Sequence, residues 1–176
     1  MKKRNEVRLC NVIFPLYFIL YFPNPFWVIA IPLNYVIDSL VLRLGLKLCR
    51  IYENKEERRQ FINSTAWKLC IAGFTADFLG VLFLMYFPQL FLPEQLAREI
   101  ASAQFTSPFV SLDVLAVFLA AVVFSGICIC IIDRWILKKQ GLDAKTAGKI
   151  ALLLAVLTAP YLMLCPTELF MNYETF

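Results

Sequence analysis

Histidine is absent from all 176 residues. That removes histidine general acid–base catalysis, Ser-His and Cys-His nucleophile pairs, and His-ligated metals. Charge is scarce too: 17% of the residues are Asp, Glu, Lys or Arg, against roughly 25% in a soluble globular domain. No H-E-x-x-H, G-x-S-x-G or G-x-G-x-x-G string occurs, so these metalloprotease, serine-hydrolase and dinucleotide fingerprints are missing. GLDAKTAGKI (141–150) holds its glycines seven apart and follows the lysine with Ile, whereas a phosphate loop needs G-x-x-x-x-G-K-[ST]. Its Asp143 suits a helix N-cap better. The six cysteines (Cys10, Cys49, Cys70, Cys128, Cys130 and Cys165) show no zinc-ligand spacing. They read as small, lipid-compatible side chains. No cofactor, metal or catalytic residue is expected.

What the chain does hold is apolar sequence in long runs. Hydrophobic residues make up 60% and the mean hydropathy is +0.69, the profile of a multi-pass membrane protein. The formal net charge of +4 sits in short clusters beside apolar runs, which argues for a lipid bilayer as partner and against nucleic acid. The expected fold is an all-α, multi-pass transmembrane helical bundle, one membrane-embedded domain over residues 1–176. Its five apolar segments fall at about 9–23, 26–46, 69–92, 110–133 and 150–165. The first is short, a tilted span or a re-entrant arm. Its basic start and short apolar core resemble a signal peptide, but PNPFW follows with no small-x-small cleavage site, so the segment is expected to be retained.

Lys and Arg set the orientation. All but Arg98 of the 17 flank the N-terminus and the connections at about 47–68 and 134–149. By the positive-inside rule those regions are cytoplasmic, with the N-terminus inside, the C-terminus outside and 93–109 an external loop. Aromatic residues agree: Trp67 and Trp135 stand at the inner edge, Tyr86, Phe87 and Phe91 at the outer. LPEQLAREIASAQF in the external loop reads as a short amphipathic helix on the outer leaflet. FILYFPNPF (18–26) and FLMYFPQLF (83–91) share five of nine positions, a weak internal echo.

The polar groups inside these runs carry the functional question. NPFWVIAIPLNYVIDSLVL (24–42) contains Pro32, Asn34 and Asp38. Pro32 removes a backbone donor and crowds the preceding turn, which predicts a kink around residues 28–32. Asn34 and Asp38, four apart, share a face. Asp77 lies nine residues from Lys68 and Asp38 nine from Lys47, so both stand about 13 Å above the inner boundary. Gly73, Asp77 and Gly80 share a face that lets a neighbouring helix come close, and Ala151 and Ala155 form a similar track in the last segment. An acid at a helix centre costs about 2.5–3.5 kcal/mol on insertion scales unless it is protonated, paired or hydrated. Asp113 is expected to serve a helix N-terminus. Asp133, adjoining Arg134, is expected to be hydrated or paired at the inner interface.

Asp38, Asp77 and Asn34 are therefore the candidate intramembrane proton or cation site, and proton- or cation-linked transport, alone or as a transport subunit, is the leading expectation. The competing expectation is a non-catalytic scaffold whose polar residues only fix helix packing. A membrane-embedded aspartyl hydrolase is a distant third: GFTADFLG offers G-x-x-x-D, not the G-x-G-D of presenilin-like proteases. A homo-oligomer or a membrane-protein partner, in a bacterial plasma membrane, completes the expectation.

Overall fold

The computed structural model describes residues 26–52 and 54–166. Among them the chain is all-helical, with no strand, in five α-helices. These are α1 (Phe26–Leu48), α2 (Lys55–Phe91), α3 (Glu94–Ala103), α4 (Leu112–Lys139) and α5 (Ala144–Thr158), followed by a short 3-10 turn, Tyr161–Leu164. The apolar segment at 9–23, and all but the last residue of the echo at 18–26, lie outside the described residues.

Three helical stretches are long and apolar enough to cross a membrane among the described residues: Lys55–Phe91, Leu112–Lys139 and Ala144–Leu164. The sequence segments at 69–92, 110–133 and 150–165 coincide with them except for one or two residues at one end of each, 92, 110–111 and 165. The segment at 26–46 forms α1, which is not one of the three; past Pro32 it carries Asp38, Arg43 and Lys47. Its helix is continuous through Pro32.

The helices begin and end where local chemistry dictates. Asn54 caps α2 by accepting the Glu56 N–H at 3.0 Å, with Glu56 and Glu57 in the first turn. Ser111 caps α4 through the Val114 N–H, with Asp113 beside it. Asp143 caps α5 by accepting from Lys145 and Thr146 at 3.1 and 3.0 Å. The connections expected at 47–68 and 134–149 are consequently much shorter. Hydropathy reports the medium around a helix, whereas caps decide where the helix starts, so α2 begins 14 residues before the apolar segment at 69. At 1.5 Å per residue α2 is about 55 Å long, well beyond a hydrocarbon core of about 30 Å.

α1, α2, α4 and α5 form a ring in which neighbours run antiparallel: α1 packs on α2 and α5, and α4 packs on the same two. The ends of α1 and α4 and the starts of α2 and α5 thus meet at one end, which carries most of the Lys and Arg. The exposed Trp67 and Trp135 lie toward this basic end, with Lys139 Nζ 3.7 Å from the Trp135 ring centre. At the opposite end α3 lies across α2 and α4, burying Ile100 and Ala103 and keeping Glu94 and Arg98 exposed as an ion pair. The outer faces are apolar, as with Ile71 and Phe78 of α2, Val123 and Ile127 of α4, and Leu152 and Val156 of α5. Soluble monomers rarely expose apolar surface on this scale.

Candidate functional site

Asp77 sits one turn from a close approach of α2 and α4 at Gly80. A Cβ on Gly80 would come to 3.0 Å from the Ser125 Cβ and 3.5 Å from the Ala121 carbonyl, so any other residue there would have to push its neighbour by a few tenths of an ångström. That approach brings the Ser125 hydroxyl to 3.0 Å from the Ala76 carbonyl oxygen and 3.3 Å from Asp77 Oδ1. A hydroxyl has a single proton. If Asp77 is ionised, Ser125 can donate to it. If Asp77 is protonated, it can donate to Ser125, which then donates to Ala76. The site accommodates both states without moving a heavy atom.

Asp38 on α1 lies within electrostatic reach of Asp77, of Asp133 on α4 and of Cys70 on α2. All three acids are buried, with 6% (Asp38), 9% (Asp77) and 2% (Asp133) of their surface exposed. Among the described residues no Lys or Arg lies within ion-pair distance of any of them; the salt bridge present is Arg98–Glu94, at the far end. Nor do three or more His, Cys, Asp or Glu side chains there converge as a metal ion would require.

Asp133 corrects the sequence expectation. It is not paired with Arg134, and it is buried rather than at the interface: 2% of it is exposed and its Oδ1 has no hydrogen-bond partner among the described protein groups. Consecutive residues on a helix point about 100° apart, and the Arg134 side chain passes over Gly148 of α5 instead. Thr65 of α2 also buries a hydroxyl without a partner. Ser125 had no signal beyond being a lone hydroxyl within an apolar run, and spacing alone did not mark it.

Asn34 stands one turn from Asp38 and is half-buried. Near Pro32, the Cys70 thiol of α2 donates to the Ile31 carbonyl at 3.9 Å, tying the two helices beside the proline. Gly73 does not share the close approach made at Gly80, for a Cβ there would meet nothing within 4 Å. Ala151 and Ala155 are buried, and Ala155 packs in a small cluster with Ala76 and Ile129.

No protein-family model, curated protein or solved structure matches this chain.

Proposed function

We propose that this is an integral membrane protein that moves protons, alone or coupled to another solute, through a site built on Asp77 and Asp38 and extended toward the basic end by Asp133. The apolar exterior and three helices of spanning length support the membrane reading. In this reading α1 crosses as well, with Asp38 buried against its neighbours and the exposed Arg43 and Lys47 toward the basic end, which is cytoplasmic.

The observation that carries the proposal is the burial of three carboxyl groups, from three helices, with Asp38 within electrostatic reach of each of the other two and without a cationic partner among the described residues. Carboxyls of this kind are expensive in a membrane and typical of proton pathways. Without three converging ligands a proton is a better cargo than a multiply coordinated metal ion. Asp77 and Ser125 supply a position that exchanges donor and acceptor roles. Asp38 is the neighbouring carboxyl, Asp133 the inner station, and Asn34 a polar neighbour one turn from Asp38.

A scaffold reading draws on the same Asp77–Ser125 contact, because such bonds also hold helices together at roughly 0.6 kcal/mol each. Proton flux into liposomes containing the purified protein separates the two. We expect wild type to conduct and Asp77→Asn to lose flux while keeping its helicity and thermal midpoint. An infrared carboxyl band that titrates in wild type and disappears in Asp77→Asn should accompany the loss. Absence of flux in wild type, with Asp77→Asn tolerated and Asp77→Leu weakening assembly, would establish the scaffold.

A further inference from the structure

Two helices end at the basic end with the same closure, and the residues that complete it differ. At the end of α4, the Leu142 N–H bonds to the Leu137 carbonyl at 3.2 Å and the Gly141 N–H to that of Lys138 at 3.1 Å. Gly141 occupies the left-handed position at φ 96°. At the end of α1, the Ile51 N–H bonds to the Leu46 carbonyl at 3.0 Å and the Arg50 N–H to that of Lys47 at 3.1 Å. There the left-handed residue is Arg50, at φ 54°. Glycine is the usual occupant because any Cβ is disfavoured in this conformation. An arginine here needs another reason.

That reason lies in what Arg50 borders. Between the end of α1 and the first turns of α5 is a groove of about 440 Å³. Arg50, Lys149 and the half-buried Thr146 form its polar part, and Leu48, Ile150 and Leu153 its apolar part. Among the described residues no acidic side chain lines it, and neither cation has a salt-bridge partner. The nearby Asp143 carboxylate is occupied by the backbone N–H groups of Lys145 and Thr146 and by the Thr146 side chain. The floor rests on a close contact, since a Cβ on Gly45 would meet Ile150 at 3.1 Å.

We propose that this groove binds the phosphate headgroup of an anionic phospholipid. Arg50 and Lys149 pair with the phosphate, and the acyl chain lies along Leu48, Ile150 and Leu153. Free phosphate shares the headgroup chemistry, but the apolar wall selects the lipid. The site rests on the membrane reading above and is independent of proton movement. Because its walls come from α1 and α5, a bound lipid joins the two helices that close the ring.

The test uses the full chain in two steps. The first is flotation with phosphatidylcholine vesicles; failure to associate would overturn the membrane reading and this site with it. The second compares thermal midpoints in phosphatidylcholine with those in a mixture containing roughly one-fifth phosphatidylglycerol, enough to create a negative surface. Wild type should gain stability from phosphatidylglycerol. Arg50→Gly should match or exceed wild type in phosphatidylcholine, since glycine suits the left-handed backbone, and should lose most of the gain. Lys149→Gln should lose a similar share, each variant binding the lipid about fivefold more weakly. Lys138→Gln, exposed outside the groove, should keep the gain. An equal loss in Lys138→Gln would show a diffuse surface-charge effect and overturn the site. So would gains unchanged in both groove variants, or inorganic phosphate reproducing the whole gain.

Discussion

The two ends of the bundle are built differently from its middle. At the basic end Leu42, Leu46, Leu69, Leu137, Ile150 and Leu154 form a dense aliphatic core. At the opposite end Val81, Leu84, Val114, Phe118 and Met163 do the same under the cover of α3. Between them the buried cluster shrinks to Ala76, Ile129 and Ala155, and there Asp77 and Ser125 meet. Bulky side chains hold helices at ordinary separations, while alanine and glycine let backbones approach until polar groups touch. The lesson is a division of labour: packing at the ends fixes the fold, leaving the waist free to hold groups that contribute little to stability.

The largest effects should come from the ends. Leu46→Ala and Leu84→Ala, at residues 0% and 1% exposed, should each cost about 2–5 kcal/mol through lost packing and the cavity left behind. Reversible unfolding in mixed micelles measures this, and a small cost at one end only would show that the ends are unequal. Gly80→Leu comes next, at about 1–3 kcal/mol from overpacking. It should also separate Ser125 from Asp77 and remove the carboxyl signature that ties them. Asp77→Asn should change stability by no more than about 1 kcal/mol despite its effect on flux. A loss as large as that of Leu46→Ala would erase the distinction between waist and ends.

The smallest expected effect lies outside the waist, at Asp143. Hydrogen bonds from Thr146, through its side chain and its backbone, and from the Lys145 backbone hold this carboxyl below its ordinary value of 3.8. A depressed folded-state pKa gives stabilisation that is complete above the unfolded value and lost as pH falls through the folded one. Amide exchange in the first turn of α5 should thus be insensitive to pH-linked fraying above about pH 4 and accelerate below it. Asp143→Ala should abolish that dependence.

Much of this arrangement was legible in the sequence. Asp77 stood out because an acid flanked by Gly73, Ala76 and Gly80 in an apolar run can only face a neighbouring helix. The short helix α3 was visible in the spacing of Leu96 and Ile100, and the α5 cap in Asp143. Asp133 was misread because adjacency to Arg134 suggests a pair, whereas a helix turns the two side chains onto different neighbours. The close approach at Gly80 but not Gly73 was also hidden, since both glycines suit a tight interface and only the position of α4 distinguishes them. That the charged stretch before residue 69 continues the same helix was hidden for another reason: a helix keeps its backbone bonds where its side chains turn from apolar to polar, so hydropathy does not mark its start.

The length of α2 gives it a mechanical property. The helix is unbroken from Lys55 past Asp77, and the 22 residues between these positions span about 33 Å. Its arm is held by Phe61, Ile62, Ala66 and Leu69 in the basic-end core, so only a motion that loosened that core would make it a lever with its fulcrum at the waist. A tilt of about 10° there would carry the far tip, at Lys55, through roughly 6 Å. The same packing that fixes the fold is therefore the brake on this arm.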